Sequence, residues 1–151
     1  MFENEALLEL VPHRGKMFML SRVLDYDFED RSLRAEYDGG PSCQFYEPSL
    51  GGIPSWVSFE FMAQGIAALS GITDKLAERS RRWGVILHVS NLRIDKPVIT
   101  GKVGIEVREC DHLDAVFVFD CSVRQGDTLC AHAKITVMEI ENMEVLIGNG
   151  K

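Results

Sequence analysis

Residues Pro54 to Gly71 read PSWVSFEFMAQGIAALSG, and this stretch decides the fold. Trp56, Val57, Phe59, Phe61, Met62, Ile66 and Leu69 leave no polar stripe wide enough to face water. A helix that is apolar all round belongs inside a core. Pro54 suits the first helical turn, where its missing N–H costs nothing, and Gly71 suits a stop. A run of about 18 residues is just long enough to cross a bilayer. Against a membrane span stands Glu60 near its centre, with Gln64 one turn later on the same face. The stretch is therefore expected to be a buried helix wrapped by sheet, and the acid within it needs a purpose.

The rest of the chain fits around that helix. Asn4 is placed to cap a short helix over Glu5 to Leu10, which Pro12 ends, so residues 1–16 read as an N-terminal helix and turn. Met17 to Tyr26 and Ser32 to Tyr37 read as two strands. Asp38-Gly39-Gly40-Pro41-Ser42 breaks the chain, and Cys43 to Ile53 forms a loop leading to the helix. Beyond Gly71, Ile72 to Arg82 is compatible with a polar, exposed extension, giving a helical unit over 54–82. Period-two alternation then takes over in Val85 to Leu92, Val103 to Arg108, Ala115 to Arg124 and Leu129 to Ile140. Asp95-Lys96-Pro97 marks a bend. Asp111 to Asp114 and Gln125-Gly126-Asp127 mark hairpin turns, and 141–151 is a tail without pattern. Two strands, one long helix and four strands make a single α+β domain over 1–151. An antiparallel sheet curled around one apolar helix is the hot-dog arrangement.

Composition narrows the function classes. At 151 residues, with 46% hydrophobic and 26% charged residues, the chain has the make-up of one globular domain. A net charge of −7 argues against nucleic acid, whose binders need a basic footprint. Cys43, Cys110, Cys121 and Cys130 have no metal-ligand spacing and are expected as free thiols in a reducing cytoplasm. The three glutamates in the first seventeen residues are unlike a signal peptide, so no targeting segment is expected.

Three segments carry a resemblance to the 3-hydroxyacyl-acyl-carrier-protein dehydratases. Val11-Pro12-His13-Arg14, followed by Met17-Phe18-Met19-Leu20-Ser21-Arg22-Val23, is similar to that family's Leu-Pro-His-Arg start and first strand. Glu60-Phe61-Met62-Ala63-Gln64 resembles the Glu-x-Met-Ala-Gln run of its central helix, with a proline six residues before the glutamate. Arg93 to Gly101 resembles its Arg-x-x-x-Pro-Val-x-x-Gly segment. Together they cover roughly residues 8 to 105. One position departs: where the family's catalytic histidine stands, fourteen residues ahead of the acid, this chain has Tyr46, and no histidine lies between Arg14 and Leu87. The Pro-His-x-Gly-x-Met start and the Pro54-Ser55-Trp56-Val57 helix opening are similar to a divergent branch, the dehydratase-like proteins of aryl-polyene biosynthesis clusters.

The resemblance implies a dimeric protein, pairing with itself or with another hot-dog subunit, that acts on acyl thioesters of acyl carrier protein or coenzyme A. Dehydrating a 3-hydroxyacyl thioester takes a base for the α proton and an acid for the leaving hydroxyl, and no cofactor. Desolvation within an apolar helix is expected to favour protonated Glu60, the form an acid needs; a buried glutamate satisfied by Gln64 is the structural alternative. His13 is the histidine within a matched motif and is read either as base or as structural. Tyr46 sits at the right sequence position, but a phenol is a poor base at neutral pH; it is read as a substrate hydrogen-bonder or as packing. Gly51, Gly52, Pro54 and Ser55, entering the helix, are read as the place for the thioester carbonyl, or as a tight turn. Gln64 is read as substrate-binding. The cations Lys75, Arg79, Arg81 and Arg82 offer an acidic carrier protein a docking patch, or form a solvated helix end. The alternatives to a dehydratase are a catalytically weakened subunit that pairs with an active dehydratase, and an acyl thioesterase.

Overall fold

The computed structural model describes residues 2–3, 5–8, 10–11, 15–80 and 82–141. In chain order the elements are β1 (Phe2–Glu3), α1 (Glu5–Leu8), β2 (Arg22–Asp27), β3 (Ser32–Tyr37), β4 (Ile53–Pro54), α2 (Ser58–Leu76), β5 (Trp83–Ile94), β6 (Val98–Ile99), β7 (Val103–Leu113), β8 (Val116–Gln125) and β9 (Thr128–Ile140). One sheet runs in the order β1-β2-β3-β7-β8-β9-β5, every neighbouring pair antiparallel. It curls around α2 in the expected hot-dog fold.

The period-two pattern of β7, β8 and β9 is what directs the curl. Val103, Ile105 and Val107 of β7 face inward, as do Phe117, Phe119, Cys121 and Val123 of β8 and Ala131, Ala133, Ile135 and Val137 of β9, all at 8% exposure or less. Each partner residue between them points to water, which fixes the register, because a slip by one would expose the whole set. Phe61, Met62, Ala68, Leu69 and Ile72 of α2 complete the core.

Gly65 sets how closely helix and sheet approach. A Cβ there would lie 3.0 Å from both Ile105 Cγ2 and Val107 Cγ1. Gly65→Val is therefore expected to destabilise the fold by about 1–3 kcal/mol through overpacking. Gly65→Ala should come closer to neutral, since alanine recovers up to about 1 kcal/mol of helix propensity. Urea unfolding of the two variants checks the order.

The structure departs from the sequence reading at several element ends: α2 begins at Ser58 rather than Pro54, and β7 runs through Leu113, taking in most of the turn expected over Asp111–Asp114. The first strand begins at Arg22 rather than Met17: Gly15–Met17 is a single 3-10 turn, and Met17 and Met19 spend their backbone groups on the Gln64 side chain instead of a neighbouring strand. The helix ends at Leu76 rather than Arg82, and its last turns are not polar surface, for Ile72, Thr73 and Asp74 are buried. Asp74 ends it: its carboxylate accepts from Arg79 Nε at 2.8 Å and from the Arg82 backbone N–H at 3.0 Å, turning the chain back towards β5. Glu78, in the left-handed region at φ 52°, makes that reversal.

The approach to α2 is pinned separately. β4 pairs with β6, Ile53 opposite Ile99 and Pro54 opposite Val98. Gly52 lies flush against that pair, where a Cβ would come 2.5 Å from Ile99 O. A 3-10 turn over Ser55–Val57 then leads straight into α2.

Candidate active site on the open side of the central helix

Glu60, Ala63, Ala67 and Ser70 recur at helical spacing along one face of α2, and a cavity separates this face from the sheet. All four are half-buried, in contrast to the fully buried Phe61, Gln64, Ala68 and Leu69. Together with Phe59 they border a cavity of about 290 Å³, closed opposite by Trp83, Gly84 and Ile86 of β5 and Val137 of β9. Small residues on the helix make the groove, and aromatic and branched residues make its walls. A single carboxyl group at one end of an apolar cleft is the kind of arrangement that orients a ligand.

Gln64 holds that carboxyl in place. Fully buried, it accepts the Met19 N–H at 2.8 Å on Oε1, while its Nε2 donates to Met17 O at 2.6 Å and to Glu60 Oε1 at 3.2 Å. One amide thus ties the helix to the 17–19 segment and steadies Glu60. Gln64→Leu would leave the buried Met19 N–H unpaired, and we expect a loss of about 1–3 kcal/mol in stability together with a fall in turnover. Urea titration and steady-state kinetics on one preparation separate the two effects.

The other residues singled out from the sequence are placed as follows. His13 and Arg81 lie outside the described residues. Tyr46 packs half-buried against the core, its N–H bonded to Cys43 O at 3.0 Å, and does not border the cavity. Gly51, in the left-handed region at φ 68°, donates its N–H to Glu47 O at 3.0 Å within a turn. Ser55 is buried, its N–H bonded to Pro97 O at 2.9 Å and its hydroxyl to Lys96 O. Pro54 lies in the β4–β6 pair. Of the aromatics, Phe59 lines the cavity, whereas Trp56 is 64% exposed and packs edge-on against Phe45. Arg79 and Arg82 both engage Asp74, and Arg82 Nη2 also lies 3.0 Å from Glu139 Oε1, close enough for an ion pair but too bent for a hydrogen bond.

Other chemistry finds less support among the described residues. His88 is exposed on β5, His112 stacks on Phe117 at 5.0 Å, and His132 Nε2 lies 2.7 Å from Asp120 Oδ1; none borders the Glu60 cavity. A wider depression of about 570 Å³ crosses the outer face of the sheet, but its charges pair with one another, Asp25 with Arg34 and Asp30 with Arg108. Those arginines hold both carboxyls below the usual carboxylate range. Burial pushes the Cys121 thiol up, which disfavours a thiolate nucleophile there. Burial, helped by the neighbouring Cys43, likewise keeps the Tyr37 phenol protonated beside Phe61. No helix among the described residues is long and apolar enough to cross a membrane.

Comparison with known proteins agrees with this fold. The model of the ApeP-like family, described as ApeP dehydratase, matches residues 5–148. The chain belongs to the ApeP-like dehydratase family. It is also 26% identical over 140 residues to the 3-hydroxyacyl-[acyl-carrier-protein] dehydratase FabZ of Bartonella quintana, covering 91% of this chain and 89% of that one. Against the FabZ of Methylobacterium radiotolerans the identity is 24% over 137 residues, covering 89% and 87%. Among solved structures, the ApeI:P dehydratase heterocomplex from Xenorhabdus doucetiae superposes with a TM-score of 0.82 at 19% identity, covering 96% of this chain and 97% of that one. A mutant thioesterase from Pseudomonas aeruginosa shares the fold more loosely, with a TM-score of 0.62 at 17% identity, covering 80% and 81%. Ser70, Trp83 and Ile86, which the ApeP-like chain brings to the cavity, had no signal in the sequence, because the pairing of β5 with β9 is what carries Trp83 and Ile86 to the helix.

Proposed function

We propose that this ApeP-like chain takes part in dehydrating 3-hydroxyacyl thioesters carried by acyl carrier protein or coenzyme A, with Glu60 as the acid. The observation that carries the reading is the Glu60 carboxyl at one end of an apolar cleft, steadied by Gln64. In the reaction the Cα–H bond breaks, and its electron pair becomes the Cα=Cβ bond as the Cβ–O bond breaks. Glu60 gives its proton to the departing oxygen, and water leaves. A base must take the α proton. His13 is our candidate, four residues before Met17, whose carbonyl Gln64 binds. Tyr46 is assigned a supporting contact. With the Gly51 and Ser55 N–H groups spent on Glu47 O and Pro97 O, the turn through Gly51, Gly52, Pro54 and Ser55 is proposed to favour the thioester carbonyl through the positive end of the helix dipole. The partly exposed Arg79, with Lys75, Arg81 and Arg82, is the proposed face for an acidic carrier.

The unit we propose is a pair of hot-dog subunits joined along β5. That strand ends the sheet, and Ile86, Leu87, Leu92 and Ile94 on it are 38–52% exposed. The solved heterocomplex with this fold favours a partner of a different sequence, and a second copy is the alternative. A second reading makes this chain the weaker member of such a pair. It is favoured by the absence of any histidine among the described residues at the cavity.

The test is formation of enoyl thioester from a 3-hydroxyacyl carrier substrate, followed by ultraviolet absorbance, with the chain alone and with its hot-dog partner. Turnover that needs Glu60 supports the leading reading. An inactive chain that stimulates an active partner, with Glu60→Gln silent, supports the second. Hydrolysis of acyl-CoA without dehydration would make it a thioesterase instead.

A further inference from the structure

The cavity that begins at Glu60 ends on polar groups. Ser70, ten residues along α2, donates its hydroxyl to Glu139 Oε2 at 3.0 Å. Glu139 is 7% exposed and stands at the end of β9, where Arg82 Nη2 meets its other oxygen at 3.0 Å. Trp83 lies beside them as β5 begins. Between Glu60 and Ser70 the helix offers only Ala63, Ile66 and Ala67. The groove is thus apolar between Glu60 and Ser70, and the Ser70 hydroxyl that borders its far end is held by the buried Glu139 carboxylate behind it.

We propose that Ser70, backed by Glu139 and Arg82, sets the longest acyl chain the site accepts. The proposal rests on the thioester reading and adds to it a limit on the substrate. Ten residues of helix span about 15 Å. A fully extended polypeptide advances about 3.6 Å per three backbone bonds, about 1.2 Å per bond, so about 15 Å takes about twelve carbons beyond the one at Glu60. A shorter chain gains apolar contact with every added methylene. A longer one must push its methyl end against Ser70 and disturb the hydroxyl's bond to Glu139, which costs about a tenfold loss in affinity. Glu139 carries the effect without touching a short substrate, so it acts as a positioning residue for the floor.

Binding, not turnover, is the readout, so that a wrong length rule is distinguishable from a wrong reaction. Non-hydrolysable acyl thioether analogues of coenzyme A, from six to eighteen carbons, are titrated calorimetrically into the chain together with the subunit it purifies with. Affinity is expected to climb with length and then break at about fourteen to sixteen carbons. Ser70→Leu should move the break to shorter chains, and Ala67→Leu, one turn nearer Glu60, should move it further. Ser70→Val replaces the leucine variant if thermal melting shows that it does not fold. Affinity that keeps rising to eighteen carbons, or a break that ignores both positions, overturns the length rule. If no acyl chain binds at all, the thioester reading itself is wrong.

Discussion

Glu60→Gln is expected to lower kcat for dehydration by roughly a hundred- to ten-thousand-fold, the range associated with losing a general acid. The substitution is close to isosteric. Glutamine at position 60 keeps an oxygen that can accept from Gln64 Nε2, now 3.2 Å from the carboxyl, so the link to the 17–19 segment is preserved. What disappears is the proton that the leaving hydroxyl requires. KM should therefore change little, since the cavity wall of Phe59, Ala63, Ala67 and Val137 is untouched. Thermal melting should also be near that of the parent, because Glu60 is only half-buried. A variant that retains activity within about threefold would remove Glu60 from the mechanism. A variant that loses activity and also unfolds would point to the structural role instead, and Gln64→Leu then serves as the comparison.

Much of this architecture was readable beforehand, and the reasons differ from element to element. The strands β7, β8 and β9 declared themselves because one face of each is buried and the other wet, a contrast that period-two alternation records directly. The helix declared itself through unbroken apolarity. Its end did not, because Ile72 belongs to the core while Asp74 stops the helix by capturing Arg79 and Arg82 across a turn, a tertiary event. The strand expected from Met17 was over-read for a similar reason. Residues 17–21 are apolar enough for a strand, but Gln64, more than forty residues away, takes the Met17 carbonyl and the Met19 N–H.

The site was legible in its centre and not in its rim. Glu60 stood out as an acid in apolar surroundings, and the cavity lies on its side of α2. Gln64 stood out too, but its three bonds tie segments of the chain together, a role that spacing alone does not distinguish from ligand binding. Ser70 looked like one more small helix residue and Glu139 like one more polar position on a last strand. Only the curl of the sheet brings them together.

The sheet order adds a consequence for assembly, and with it the second large effect. β5 is twelve residues long and ends the sheet. Natural edge strands are blunted by charge or proline, whereas from Trp83 to Leu92 this one has neither. Its register against β9 shifts between Ile86 and His88 and again between Ser90 and Arg93, and Leu87 and Leu92, in those shifted stretches, are 52% and 50% exposed. Such an edge beside an apolar cleft is suited to cover by another subunit. Leu87→Lys with Leu92→Lys should weaken pairing at least about a hundredfold, by removing two apolar anchors and placing charge in the interface. Both residues already face water in the isolated subunit, so its own melting should shift little. Sedimentation of parent and double variant, each with its partner, reads the change as a shift from paired to single subunits. Pairing that survives both lysines at unchanged affinity would move the interface off β5. If pairing is lost and dehydration falls with it while Glu60 remains in place, the site is one that two subunits build together.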